Sequence, residues 1–480
     1  MGDAAMTTLQ ALQGFFQQAG PRMNAMADHI WSLAELRYAE TASAALHQQA
    51  LQQAGFRVQT HLADIPTAFV AEWGEGGPVL ALLGEYDALS GLNQQSGALT
   101  CMPSSDSPGA AGHGCGHHLL GVAAHWAAIA LAEHLRQTGQ PGRVRFYGCP
   151  AEEGGSGKTF MARAGVFDDI DAALTWHPGS HTGVFSQSTL ANIQAKFTFQ
   201  GRAAHAAHSP HLGRSALDAV ELMNVGVNYL REHMPPDARV HYAVTDSGGL
   251  SPNVVQARAQ VLYLIRAADN QAAAQLYERV QNVARGAALM TECQLDIGFD
   301  KACSNLLQNS VLNQVMYQAM QALGRLQPDA QSHALAGQFQ ATLAASDLDS
   351  ASRPLASVLR GQRPAIFEGI SPYDPQAQDI LSGSTDVADV SWIAPTAQAW
   401  VACYAFGTPL HSWQMVAQGQ SPLAHAGMER AARILTATAI RLLQQPELLT
   451  QARQELLQRR GGQPYVCPIP AQAALPFLQG

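Results

Sequence analysis

A glycine-rich loop carrying closely spaced metal-ligand side chains constrains this chain more than any other stretch. Residues 112–118 read GHGCGHH and lead into an apolar helix predicted over residues 119–135. Glycines on both sides of Cys115 let the backbone fold tightly enough for its sulfur and the imidazole of His117 to converge on one point. The positive end of the following helix would favour a thiolate at Cys115. The spacing alone predicts either a metal site or a turn whose polar residues cap the helix.

Further metal-ligand side chains recur where short apolar segments, predicted as strands, end. The segments and the side chains that follow them are 79–83 with Asp87, 143–149 with Glu152 and Glu153, 172–175 with His177, and a segment ending at residue 406 with His411. Because open α/β sheets place their ligands beyond the carboxyl ends of strands, we expect these side chains to meet. Taken singly, each has a structural alternative: a turn residue, a solvated acidic turn, or a histidine that only packs.

The adjacent carboxylates Glu152 and Glu153 predict a division of roles. Neighbouring side chains in an extended turn point in different directions, so one can bind a metal while the other faces the substrate as a general base. Asp87 is predicted to orient a ligating histidine. The GSGKT sequence that follows resembles the end of a phosphate-binding loop, but the glycine required five residues before Gly157 is replaced by Glu152. We therefore predict no nucleotide site.

The composition argues against several classes of function. With a formal net charge of -9 and no basic run, the chain is not expected to bind nucleic acid. It has no charged-then-apolar leader pattern and no apolar stretch of bilayer length, so we expect a cytoplasmic protein without membrane contact. Seven cysteines without a framework spacing favour reduced thiols over disulfides.

The order of predicted elements divides the chain into two units. Residues 3–55 are predicted as three helices, after which strands and helices alternate as in an α/β protein with a mixed sheet. Residues 191–302 predict a compact α+β sandwich of the size of a small domain. This unit interrupts a larger catalytic domain, which would consist of residues 1–190 and 303–480.

The inserted unit contains three polar residues of interest. His205 is flanked by alanines, which permit close approach by another surface, although a packed turn explains the same pattern. Asn253 lies in a Gly- and Pro-containing loop, and Arg266 ends an apolar strand. No chemistry is predicted for residues 305–375, and the tail beyond a terminal helix at 421–443 is Pro/Gln-rich and uninformative.

Five motifs, in order, make the chain resemble a known family. They are GEYDAL at 84–89, GHGCGH at 112–117, YGCPAEEGGSGK at 147–158, SPHLGRSALD at 209–218 and GTPLH at 407–411. Together they resemble the aminoacylase and carboxypeptidase-G type of metallopeptidase, in its amidohydrolase branch with a Cys-Gly-His ligand loop. The resemblance spans nearly the whole chain and implies a two-metal catalytic domain with an inserted dimerisation, or lid, domain.

The resemblance also implies roles for residues at matching positions. The metal ligands would be Cys115, His117, Glu153, His177 and His411, and Glu152 would be the general base. The cofactors would be two divalent ions, Mn or Zn. His205 would stabilise the oxyanion across a dimer interface, while Asn253 and Arg266 would bind the substrate carboxylate. The branch usually has an aspartate directly after Cys-Gly-His, whereas this chain has His118.

The implied activity is metal-dependent hydrolysis of the amide bond in an N-acyl amino acid such as p-aminobenzoyl-glutamate. Another conjugate, such as indoleacetyl-aspartate, is an alternative substrate with the same chemistry. A different alternative is a non-catalytic partner subunit with a vestigial metal site, although such a chain would have no chemical reason to keep Glu152 beside Glu153. The assembly would be a homodimer or a heterodimer with a related subunit.

Overall fold

The computed structural model describes residues 3–104, 111–377 and 379–477, with side chains from residue 13 onward. Its helices are α1 Asp3–Leu33, α2 Thr41–Gln53, α3 His117–Thr138, α4 Glu152–Gly155, α5 Gly157–Arg163, α6 Ala216–Leu230, α7 Asn270–Thr291, α8 Ser310–Leu323, α9 Ala330–Gln340, α10 Ala345–Ser352, α11 Ala356–Leu359, α12 Val387–Ile393, α13 Trp413–Gln418, α14 Pro422–Gln444 and α15 Pro446–Arg459. Its strands are β1 Arg57–Thr60, β2 Phe69–Glu75, β3 Val79–Gly84, β4 Leu89–Ser90, β5 Ala111–Gly112, β6 Gly142–Gly148, β7 Ala172–Gly179, β8 Gly183–Val184, β9 Ser188–Thr189, β10 Ala191–Gln200, β11 Arg239–Asp246, β12 Arg258–Ala267, β13 Gln294–Cys303, β14 Ile380–Leu381 and β15 Thr396–Ala402.

The larger sheet has seven strands in the order β1-β2-β6-β3-β7-β15-β8. Its centre, from β6 to β15, is parallel, and β1, β2 and β8 run antiparallel to their neighbours. The apolar strand β3 is buried along its whole length, as strands of a parallel sheet covered on both faces are. The carboxyl ends of the parallel strands therefore meet at one edge. The predicted α/β class with a mixed sheet is confirmed.

Helix α3 fixes the position of the glycine-rich loop, because it is buried on nearly every face. It packs against β3, α1 and α14, and most of its residues between His117 and Leu135 are buried. Gly121 allows this close packing, since a Cβ there would lie 2.4 Å from the backbone oxygen of Glu85. The start of the helix and the segment after β3 are thus held against each other.

The second sheet has four antiparallel strands in the order β11-β12-β10-β13. Helices α6 and α7 pack on it and share with it a separate hydrophobic core that includes Phe197, Val261 and Val280. Strand β10 begins at Ala191 and β13 ends at Cys303. The division of the chain into domains at residues 190 and 302 remains a prediction.

The N-terminal segment forms two helices, so the prediction of three helices in residues 3–55 is wrong. α1 is continuous over 31 residues and contains Pro21, although a proline in a helix interior costs about 3 kcal/mol. The helix continues because Phe16, Met23 and Ile30 are fully buried in the main core. Burial of each such side chain contributes about 1.5–3 kcal/mol, which outweighs the cost of the proline.

The tail after α14 is not uninformative, and the structure corrects that prediction. It forms α15, and the segment beyond packs on the catalytic core. The Tyr465 hydroxyl donates to Asp389 Oδ1 at 2.8 Å, and Arg163 donates to the Pro470 carbonyl oxygen at 2.8 Å. These contacts join residues about 80 to 300 positions apart, a separation at which sequence periodicity carries no signal.

Two predictions from composition meet direct observations. None of the seven cysteines, all of which the structure describes, forms a disulfide. Among the described residues, no helix combines the length and the apolar character needed to cross a bilayer.

A buried histidine pair predicts that the protein loses stability in mild acid. His47 and His125 lie in the main core with their Nδ1 atoms 3.2 Å apart, and burial lowers the pKa of both, that of His47 to about 3. The unfolded chain binds more protons below about pH 6.5, so stability falls as the pH drops toward the folded-state pKa values. For His47, lowering the pH to about 4.5 should cost about 2 to 3 kcal/mol.

Urea unfolding between pH 7 and pH 4.5 measures this loss. The double variant His47→Gln/His125→Gln lacks both titrating rings, so its stability should change less with pH than that of the wild type. Parallel pH profiles for the two proteins would contradict the explanation.

Candidate metal centre and active site

Glycines shape the loop that presents Cys115 and His117. Gly116 adopts φ +75°, and a Cβ there would lie 2.5 Å from the Tyr404 hydroxyl. A Cβ on Gly114 would lie 2.3 Å from a Leu92 methyl group. Any larger residue would therefore displace the loop, and its two ligand side chains with it. The tight turn that the sequence predicts is present.

Asp87 orients His117. His117 Nδ1 donates to Asp87 Oδ1 at 2.9 Å, and both side chains are fully buried. This bond leaves Nε2 as the free ring nitrogen, and Nε2 has no hydrogen-bond partner in the described structure. His118 instead donates through Nε2 to the Gly419 carbonyl oxygen at 3.0 Å. The aspartate missing after Cys-Gly-His is thus not needed to orient His117, because Asp87 makes that contact.

The predicted ligands come together in two groups that share Cys115. One group is Cys115, His117 and His177, and the other is Cys115, Glu153 and His411; within each, the candidate ligand atoms lie within 4.8 Å of one another. Cys115 Sγ is 3.4 Å from His177 Nε2, and His411 Nε2 is 3.1 Å from Glu153 Oε1. The geometry is that of two adjacent ion sites joined by one sulfur.

Two of these histidines reach the site differently from the prediction. His177 lies within β7, two residues before its end at Gly179, rather than at the predicted position after the strand. His411 follows the end of β15 at Ala402 by nine residues. It is held by a hydrogen bond from its backbone N–H to the Gly114 oxygen at 2.7 Å, with a positive φ of 57°.

Glu152 and Glu153 point to different partners, as predicted, although they lie in a helical turn rather than an extended one. Glu152 Oε2 is 4.0 Å from His117 Nε2, and its side chain is 13% exposed. Glu153 faces His411, and its backbone N–H donates to Asp87 Oδ2 at 2.8 Å. Ala151, just before the turn, has φ 61°, which aims the two side chains.

The environments of the two carboxylates push their pKa values apart. Burial and the nearby charges of Glu85 and Glu153 raise the pKa of Glu152 well above its ordinary value. Burial would also raise the pKa of Glu153, but the hydrogen bond from His411 and the charge of His117 lower it to about 2. Such a separation is typical of a pair in which one carboxylate exchanges protons and the other stays ionised.

Sequence reasoning missed a buried ion cluster behind the site. The Lys158 ammonium lies 2.6 Å from Glu85 Oε1 and 2.7 Å from Asp386 Oδ1. Glu85 Oε2 is in turn 3.2 Å from His117 Nε2. Lys158 and Asp386 are 228 residues apart, and the only available signal was that GSGKT and the Asp87 segment both follow strands of one sheet. The stretch that resembles a phosphate-binding loop therefore supplies a structural cation.

The residues predicted from the inserted unit lie apart from this cluster. His205 is exposed, accepts from the backbone N–H groups of Ala207 and His208 through Nδ1 and pairs with Val254 beside Asn253. Within the described part of the chain, neither His205 nor Asn253 belongs to a ligand group. Arg266 is half-buried and donates to Ser384 Oγ at 2.6 Å.

The donor set fits divalent transition metals. Three imidazoles, one thiol and one carboxylate form a borderline ligand set that first-row ions accept and magnesium does not. Two buried ligand atoms, His117 Nε2 and Glu153 Oε1, lack a hydrogen bond of good geometry. Since buried polar atoms are normally paired, these two are what a metal centre would leave in its absence.

Comparisons with known proteins agree with this geometry. The model of peptidase family M20/M25/M40 matches residues 81–393. One of the p-aminobenzoyl-glutamate hydrolase subunits of Escherichia coli is 52% identical over 458 residues, which cover 94% of this chain and 95% of the relative.

Solved structures share the fold at lower identity. An aminobenzoyl-glutamate utilization protein from Klebsiella pneumoniae has 19% identity and a TM-score of 0.54, covering 87% of this chain and 98% of its own. A dinuclear metal binding peptidase of the M20 family from Bacillus subtilis has 16% identity and a TM-score of 0.53, covering 87% and 99%.

Proposed function

This chain belongs to peptidase family M20/M25/M40, and from that premise we propose that it cleaves the amide bond of p-aminobenzoyl-glutamate, a folate breakdown product. It is a metal-dependent amidohydrolase. The observation that carries the substrate is the 52% identity, over 94% of the chain, to the p-aminobenzoyl-glutamate hydrolase of Escherichia coli. We place the enzyme in the cytoplasm.

Two divalent ions, Mn or Zn, would be held by the two groups that share Cys115. His117 and His177 would complete one site, and Glu153 and His411 the other. When bound, the ions would polarise the amide carbonyl and make an attacking water more acidic. Asp87 keeps His117 in the tautomer that presents Nε2.

Glu152 is the proton carrier in this proposal. Its carboxylate borders the ligand groups without belonging to either group that contains Cys115. It would take a proton from the attacking water and then give it to the leaving amino-acid nitrogen. The burial that raises the pKa of Glu152 favours proton uptake from the water, because it stabilises the protonated form.

The inserted domain, residues 191–302, would complete the site in a dimer. Strand β11 is an edge of its sheet and exposes Tyr242 and Val244, so it can pair with another strand. His205, exposed on this unit, would reach the site of the neighbouring subunit and stabilise the oxyanion. Arg266 and Asn253 would bind the substrate carboxylate. The partner is a second copy or a related subunit, which the relative's description as one subunit of a hydrolase supports.

Replacing the shared ligand should empty both metal sites. We expect Cys115→Ser to lower the metal content from about two ions per chain toward zero, and His177→Ala or His411→Ala to about one, because thiolate supports both ions and each imidazole only one. Elemental analysis after dialysis measures this. Cys101→Ser, at an exposed free cysteine, is the matched control. Retention of one tightly bound ion by Cys115→Ser would contradict a shared ligand.

His205→Ala is expected to bind metal normally and to lose activity by about a hundredfold or more, since it loses an oxyanion donor and no ligand. Refolding it together with Glu152→Gln tests whether it acts across the interface. Random pairing makes about half the dimers hybrids with one intact site each, so about a quarter of wild-type activity should return. Each variant refolded alone is the control. No recovery, with dimers verified by sizing, would mean that His205 does not act on the partner's site.

A substrate panel tests the proposed function. Amine release is measured from p-aminobenzoyl-glutamate, folate, acetyl-amino acids, indoleacetyl-aspartate and dipeptides, and p-aminobenzoyl-glutamate should have the highest kcat/KM. A higher value for another conjugate would move the substrate and keep the chemistry. Less than half an equivalent of metal, with no activity after adding Mn or Zn, would instead identify a non-catalytic subunit.

A further inference from the structure

A cavity of about 410 Å³ lies at the C-terminal end of α5, whose first turn carries Lys158. Three arginines from separate parts of the chain line it: Arg163 at the end of α5, Arg453 within α15 and Arg460 just after it. The volume is that of a small-molecule site. The convergence of three guanidinium groups on one cavity calls for an explanation, since like charges repel.

The three arginines make hydrogen bonds only to backbone carbonyl oxygens. The acceptors belong to Pro470 and Ala473 for Arg163, Ile393 for Arg453, and Gln463 for Arg460. In the part of the chain that the structure describes, none of the three forms an ion pair with a carboxylate. A guanidinium has five N–H donors, so most of their donors remain for another acceptor.

The positive charge of the cavity is not balanced by its other lining residues. Asp168, an exposed residue, is the one carboxylate among them. Arg460 is half-buried, and burial together with the charge of Arg453 lowers its pKa. Anchoring of the C-terminal tail explains one donor of each arginine, but it does not explain why three unpaired charges face one cavity.

We propose that this cavity binds a small organic anion with at least two negative charges, carried by phosphate or carboxylate groups. Arginine suits both groups, because its planar fork donates two parallel hydrogen bonds to either. The site is separate from the metal centre. Tyr465, which lines the cavity, donates to Asp389, and Asp389 is itself buried and bound to Thr159 on α5.

Calorimetric titration of the metal-loaded protein tests the site. The probes are a sugar bisphosphate and succinate, each at constant ionic strength, with sodium chloride as the blank. Arg453→Ala/Arg460→Ala is the test variant. Arg279→Ala is the matched control, because Arg279 is also exposed and also donates to a backbone oxygen, that of His233, but lies on α7.

We expect the wild type and Arg279→Ala to bind at least one probe and the double variant to bind it at least about tenfold more weakly. Tighter binding of the bisphosphate would identify a phosphate ester as the ligand class, and tighter binding of succinate a polycarboxylate. Equal affinity in the wild type and the double variant would place the anion at the metal centre and overturn the proposal, as would no binding at millimolar concentrations. If the double variant does not fold, Arg453→Glu reverses the charge at an exposed position and should abolish binding.

Discussion

Replacing Glu152 by glutamine should lower kcat by about a hundredfold to ten-thousandfold while metal content stays nearly unchanged. Glutamine keeps the shape of the side chain but carries no exchangeable carboxyl proton. Glu152 lies 4.0 Å from His117 Nε2 and outside both groups that share Cys115, so its loss removes proton transfer and no ligand. Steady-state kinetics and elemental analysis of the same preparation measure the two quantities.

The neighbouring substitution is the matched control. Glu153→Gln changes the adjacent residue in the same helical turn and should lose metal, because Glu153 belongs to the group with Cys115 and His411. If Glu152→Gln lost its metal while Glu153→Gln kept both metal and activity, the roles of the two carboxylates would be reversed.

Lys158→Met should lower the free energy of unfolding by about 3 to 5 kcal/mol, because it leaves two buried carboxylates without their cation. Lys158 is fully buried, and the side chains of Glu85 and Asp386 are 3% and 1% exposed. Burial alone would lower the pKa of Lys158, but the two carboxylates outweigh it and hold the pKa well above its ordinary value. The ammonium therefore stays charged, and methionine fills its volume without its charge.

Urea unfolding of the metal-free proteins measures this loss. Lys196→Met is the control, since Lys196 is 38% exposed and its ion pair with Asp300 spans 3.4 Å; such a pair contributes about 0 to 1 kcal/mol. Equal effects of the two substitutions would contradict the role given to Lys158. Asp386→Asn combined with Lys158→Met should recover part of the loss, because it removes one unpaired charge.

Much of the fold and of the candidate site could be predicted because the information is local. Apolar runs such as β3 announce buried strands, and the glycines around Cys115 announce a tight turn before a helix. Parallel strands then bring their ends to one edge, so ligands far apart in sequence meet without any direct signal between them.

The remaining features depend on contacts that no local pattern encodes. Lys158 reads as part of a nucleotide loop until Asp386 is placed beside it. α1 reads as broken at Pro21 until its buried stripe is packed. His205 is exposed in a single chain, so its proposed role requires a second subunit and remains a prediction.

Metal reconstitution is the most direct test of metal-dependent amide hydrolysis by this chain. Metal-free protein is titrated with Mn or Zn, and the release of p-aminobenzoate from p-aminobenzoyl-glutamate is measured at each step, alone and with a related subunit added. We predict no release without metal and a rise that levels off near two equivalents per chain, the number of ligand groups that share Cys115. Full activity in the metal-free protein, or no release at any metal load, would contradict the account.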